Sequence, residues 1–168
     1  MNYSLHSLWN SHFVGAYLLW RLVKGYSGIA GHGLDLLLVF PLLQLIATPA
    51  LTKHIPSGRS KTQSLEEYIV NIIRSKEQYL ILDLAQETMN HREWISQSIT
   101  IGVVTRLMTI DYENARLELG IKVNENEKMK TLMPELRKET GAKAEKLGRW
   151  IGALTAAEVM GYLGVSVT

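Results

Sequence analysis

The sequence predicts a mainly α fold with one small β-hairpin: a winged-helix-like core flanked by N- and C-terminal helices packed together. Three observations carry this. Apolar residues recur at three- and four-residue steps along most of the 168-residue chain. The period changes to strict alternation over residues 107–121. Two boxes of the form Ser/Thr-x-x-Glu, at Ser64 and Thr155, mark helix starts. A chain of this length is one domain by default, 1–168. Within it, residues 1–56 and 134–168 form a helical lobe and residues 64–121 the winged-helix-like lobe.

Asn10 or Ser11 caps a first helix running to about Lys24. Phe13, Ala16, Tyr17, Trp20 and Val23 make its stripe, and Leu18, Leu19 and Leu22 widen it, so it is buried on more than one side. Gly25 is the expected left-handed cap. Residues 28–33, GIAGHG, read as a loop. Their G-x-x-G-x-G spacing follows no strand and precedes no Gly-Lys-Ser/Thr, so they do not read as a phosphate cradle. A second helix spans Leu34–Ile46, and Pro41 is expected to kink or divide it. Thr48-Pro49 restarts a short turn of helix over Ala50–His54, and Pro56-Ser57-Gly58 stops it. Arg59–Gln63 is a basic surface linker. Leu65–Ile73 is the next helix, with Leu65, Tyr68, Ile69 and Ile72 inward.

Tyr79–Glu87 and His91–Arg106 are two more helices, separated at TMNH, Thr88-Met89-Asn90-His91. Met108, Ile110 and Tyr112, then Leu117, Leu119 and Ile121, alternate about a turn at Glu113-Asn114, as in a two-stranded hairpin. Residues 122–133 are polar and loop-like. Pro134 suits the first turn of a helix whose stripe is Leu136, Thr140, Leu147, Ile151 and Leu154. Thr155 and Glu158 then start a last helix over 156–163. Gly148 and Gly152 share one face of the long helix. Each costs up to ~1 kcal/mol of helix propensity. Their purpose is either close internal packing or a slot for a partner.

Composition excludes several classes. The chain has no cysteine, so thiolate catalysis, thiolate metal sites and disulfides are out, and an intracellular, cytoplasmic setting is the plain reading. No secretory signal is visible at the N-terminus. The most apolar stretch, Leu34–Ala47, contains Asp35, Pro41 and Gln44 and falls short of the roughly 20 residues a membrane span needs. None of the five histidines pairs with another at helical spacing or sits in H-E-x-x-H. Glu66-Glu67 and Glu125/Glu127 read as exposed acids. No nucleophile elbow occurs. No catalytic, metal or cofactor residue is expected.

Three helices followed by a two-stranded wing is the winged-helix layout, a helix-turn-helix variant. A DNA-reading version would place the third helix in the major groove and use Arg92, Gln97, Ser98 and Arg106 beside Trp94. That basic face is sparse for a duplex reader. A second basic cluster, Arg137, Lys138, Lys143, Lys146 and Arg149, is interleaved with Glu135, Glu139 and Glu145. It reads as a solvated helix face or as a contact to phosphate or an acidic partner.

Two stretches also carry a resemblance. Asn10, an apolar helix, Gly25-Tyr26 and then LDLLLVFPLLQLIATPALTKHIP form the first. KAEKLGRWIG, a short helix and YLGV form the second. Together they resemble the middle component of three-component ABC systems, a small accessory subunit also found in Lamassu-type anti-phage defence. The likeness covers nearly the whole chain and is weakest over residues 57–90. Ser11, Phe40 and Thr52-Lys53 depart from the family's usual residues.

The resemblance implies a non-enzymatic subunit without a cofactor. Its partners would be an SMC/Rad50-like ABC ATPase with coiled coils and an effector, often a nuclease. DNA would be sensed indirectly, through the ATPase, and no membrane is involved. Partner-binding candidates are Tyr26, Trp94, Lys146, Gly148, Arg149, Trp150 and Gly152. Nucleic-acid contacts would come from Arg92, Arg106 and Lys143. Two rivals stay open: a winged-helix DNA-binding regulator, and a small enzyme with a scattered site.

Overall fold

The computed structural model describes residues 11–58, 63–120 and 135–165, with the side chains of 135–137 outside that description. The expectations for Asn10, for most of the 59–63 linker, for Ile121, for residues 122–133 including Glu125 and Glu127, for Pro134, and for the side chains of Glu135, Leu136 and Arg137 lie outside the described residues. The fold is mainly helical with a small three-stranded antiparallel sheet.

Helix α1, His12–Ala30, is the axis of the molecule, with 11 of its 19 residues buried. Its apolar residues surround it, as the widened stripe requires. The helix continues through Gly25 and ends at Gly31, whose φ of 77° supplies the left-handed cap. The expected cap at Gly25 is therefore corrected. Gly25 is interior, and a Cβ there would collide with the carbonyl oxygen of Glu145 on the long C-terminal helix. Glycine serves close approach at this position and chain reversal at Gly31.

The second helix also starts later than the pattern suggests. Leu34–Asp35 is a short strand, β1, and helix α2 spans Leu36–Ala47. Asp35 caps α2 by accepting the Leu37 N–H at 2.9 Å. Two residues carry no period, which is why β1 left no trace in the pattern. Pro41 does not divide α2, which is one element with eight of its 12 residues buried. α3, Pro49–Thr52, follows, and the Thr52 hydroxyl donates to the Ile46 carbonyl at 2.8 Å.

α4, Leu65–Arg74, begins where the first box places it: Ser64 Oγ accepts the Glu67 N–H at 3.2 Å. Leu65, Tyr68 and Ile72 are buried. α5, Tyr79–Asn90, and α6, Arg92–Val104, are separated by His91 alone. Of the expected break over Thr88–His91, only His91 interrupts the helices: Thr88–Asn90 are helical, and Thr88 returns its hydroxyl to the Leu84 carbonyl at 2.7 Å. No glycine or proline stands there to stop the helix.

The hairpin forms as expected from β2, Met108–Asp111, and β3, Arg116–Leu119. Asp111 accepts the N–H groups of Glu113 and Asn114 at 3.0 and 3.1 Å, which fixes the turn. β1 pairs with β3 through Leu34↔Leu117, giving the order β1-β3-β2. This sheet, packed against α1, α2 and α6, is compatible with a winged helix.

α7, Glu135–Ile151, and α8, Ala156–Leu163, complete the chain. The second box is fully made: Thr155 and Glu158 bond reciprocally. Buried residues from α1–α8 and β1–β3 form one contiguous cluster. A fully buried Leu such as Leu19 or Leu147 contributes roughly 1.5–3 kcal/mol. α1 packs through two faces, one toward α6 at Gly15 and Ala16, the other toward α7.

Candidate functional site

The α1–α7 crossing is built from missing side chains. A Cβ on Gly148 would collide with the Leu22 carbonyl and lie 2.7 Å from the Tyr26 nitrogen. On Gly152 it would lie 2.8 Å from Ile29 Cβ and 2.9 Å from the Tyr26 carbonyl. On Gly141 it would meet the Tyr17 hydroxyl at 2.6 Å. Gly148 and Gly152 thus meet α1 backbone, which answers the choice between internal packing and an open slot. Across the same crossing Arg21 pairs with Glu145 at 2.8 Å, and Glu145 also accepts from Arg149 at 2.8 Å. Both Arg21 and Glu145 side chains are about 15% exposed, so this is a partly buried pair.

Tyr26 is buried against the same crossing and meets the His32 ring edge-on at 5.7 Å. Burial raises its phenol pKa, opposed by Arg116 and reinforced by Asp35. Trp150 is half-buried and stacks in a tilted geometry on Tyr68 at 6.1 Å. Tyr68 donates its hydroxyl to the Leu51 carbonyl at 3.1 Å, and burial pushes its phenol far up.

The outer face of α7 is different. Lys143, Lys146 and Arg149 stand beside the Pro56–Gly58 turn and line a concave pocket of about 390 Å3. Lys146 donates to the carbonyls of Pro56 and Gly58, each at 2.6 Å. Burial, then the charges of Arg149 and Lys143, hold its ammonium below the usual lysine range. Lys143 lies 3.4 Å from the Thr52 carbonyl and 3.7 Å from the Glu139 carboxylate. Ser57 donates to that carboxylate at 2.8 Å. So the structure brings together Lys143, Lys146 and Arg149, adds Ser57 and Glu139, and leaves Trp150 on the Tyr68 side.

The remaining candidates lie on or next to α6. Trp94 is half-buried, and its ring would lie 3.0 Å from a Cβ on Gly15. Arg92 and Arg106 are exposed, Arg106 with a left-handed φ of 61°. The exposed face between them holds the Gln97–Glu93 hydrogen bond at 3.2 Å, which places a carboxylate where a duplex reader needs cations. The expected loop over residues 28–33 is shorter, since Gly28–Ala30 belong to α1; beyond the Gly31 cap, Gly33 gives its N–H to Glu118 at 3.0 Å, so a carboxylate holds that donor.

A larger, apolar groove of about 730 Å3 was not visible in the sequence. Leu37 and Phe40 of α2, Met89 of α5 and Met160 of α8 line it. Leu37 and Met89 are more than half exposed. Among the described residues, no group of His, Asp and Glu has the arrangement of a metal site, and no helix is long and apolar enough to cross a membrane.

The architecture joins terminal helices through a glycine crossing around a short helical core. A family model agrees over nearly its full length: ABC-three component (ABC-3C) system Middle Component 3 matches residues 4–167. The chain belongs to this family. Comparison with curated proteins and with solved structures finds no match. The middle-component family is that of an accessory part of a three-component ABC system. Within it, the Gly25–Tyr26 and KAEKLGRWIG stretches that carried the resemblance are the two sides of one helix crossing.

Proposed function

We propose that this middle component is a non-catalytic accessory subunit that binds an SMC/Rad50-like ABC ATPase. In this reading it helps assemble or restrain an effector, a nuclease or another toxic enzyme, in a Lamassu-type anti-phage and anti-plasmid complex of the cytoplasm. Foreign DNA is sensed by the ATPase, and this subunit supplies a brace made of the α1–α7 lobe and a winged-helix-like lobe. The observation that carries the reading is the family match over residues 4–167. The fold supports it in one respect: the densest packing is spent on holding two terminal helices together, as a rigid spacer requires.

A tagged chain co-expressed with the neighbouring genes tests it. Recovery of a large coiled-coil ATPase, identified by mass, is the expected result. A soluble chain that recovers no ATPase and shifts duplex DNA with steep salt dependence would replace this reading with a DNA-binding regulator.

A further inference from the structure

We propose that the pocket between the Pro56–Gly58 turn and α7 docks an acidic segment, a short run of Asp or Glu side chains, of a partner protein. That the partner is the ABC component rests on the accessory-subunit reading; the chemistry of the pocket rests on its own geometry.

Lys143, Lys146 and Arg149 recur every three residues on α7 and so project to one side of it. Two carboxylates face them. Glu139 pairs with Lys143, while Glu145 is shared between Arg149 and Arg21. Cations therefore outnumber carboxylates around the pocket. Lys146 is satisfied by two neutral carbonyls, and it feels the repulsion of both neighbouring cations. An arriving carboxylate relieves that repulsion, and by linkage its binding raises the proton affinity of Lys146.

The pocket already seats one carboxylate in this way: Glu139 accepts from the Ser57 hydroxyl and faces Lys143. The Ser57 hydroxyl is taken by Glu139, so a second carboxylate would be met by the remaining N–H groups of the Arg149 guanidinium and by the neighbouring ammonium groups. A duplex is the weaker fit. The site is concave, and the chain's net charge of +2 is far from the dense basic footprint of a nucleic-acid reader.

The test is titration of the full chain with fluorescent octaglutamate, followed by anisotropy. Arg149→Glu is the main variant because its side chain is 54% exposed, so the fold should survive. Lys143→Gln is the second, and melting curves confirm that both are folded. Saturable binding is expected at low salt. It should weaken about tenfold or more in Arg149→Glu and fall as salt rises. Unchanged binding in Arg149→Glu, or a short duplex displacing the peptide more effectively than unlabelled octaglutamate, overturns the proposal. A second arm measures capture of the co-expressed ABC component. A matching loss in Arg149→Glu supports docking there. Full capture by that variant overturns docking but leaves the accessory-subunit reading intact. If even the wild-type chain captures nothing, that reading fails, and the peptide titration alone decides the pocket.

Discussion

Helix α7 turns two chemically opposite faces to its surroundings. Its inner face, Gly141, Ala144, Leu147, Gly148 and Ile151, is buried. There Gly148 meets the backbone of α1 directly, while Gly141 makes room for the Tyr17 side chain. Its outer face carries Lys143, Lys146 and Arg149 beside a turn. At Gly148 the inner face is specified by a neighbour's backbone, which cannot move aside. The outer face is specified by flexible ammonium and guanidinium groups reaching carbonyls and carboxylates. One helix can therefore be intolerant of a single methyl group on one side and tolerant of charge reversal on the other.

Breaking the inner face should have the largest effect. Gly148→Leu forces bulk into the Leu22 carbonyl, at a cost of about 3 kcal/mol or more. For a chain of this size that lowers Tm by roughly 6–12 °C, read by calorimetry. Wild-type melting would mean the helices are not locked together as described. Glu145→Ala removes the carboxylate shared by Arg21 and Arg149 and leaves the guanidinium of Arg21, 14% exposed, without its partner. A loss of roughly 1–3 kcal/mol in urea unfolding is expected, below the full cost of breaking a wholly buried pair. Thr155→Ala removes the cap of α8 and should cost about 1 kcal/mol by the same assay.

Much of this division was legible in the sequence, and the failures have physical reasons. The helix starts at Ser64 and Thr155 were readable because capping is local: donor and acceptor are three residues apart. The Gly148/Gly152 face was readable because helical spacing fixes it. What it packs against was not, since Leu22 and Tyr26 lie far away in the chain. Gly25 was misassigned because a glycine after an apolar run signals both a cap and a crossing, and the distant Glu145 carbonyl decides between them. β1 was hidden because its pairing partner, β3, lies on the far side of five helices in sequence. The basic residues of the outer pocket were seen as a cluster. The turn that completes it was not, because Lys146 and Pro56 are 90 positions apart.

A smaller effect is expected from acid. Glu77 is held below the ordinary glutamate value of 4.5 by Lys53 and His54. Glu158 is held below it by Thr155. Because their folded-state pKa values are depressed, the stability they add is fully present above the ordinary value. It is lost as pH falls through the depressed values. Melting temperature should be flat from neutral pH to about 5 and then decline, and Glu77→Gln should flatten part of that decline. An unchanged acid limb in Glu77→Gln would show that the Lys53–Glu77–His54 cluster contributes nothing. A small effect on stability belongs to the outer face: Arg149→Glu exchanges an i,i+4 pair with Glu145 for like charges and should cost less than about 1 kcal/mol of unfolding free energy.

The most direct measurement takes Gly148→Leu and Arg149→Glu through the same two readings, melting temperature and capture of the co-expressed ABC component. The account predicts opposite patterns. Gly148→Leu loses melting temperature, whereas Arg149→Glu melts close to wild type and loses capture. Wild-type melting in Gly148→Leu together with wild-type capture in Arg149→Glu would contradict the assignment of one face of α7 to the fold and the other to a partner.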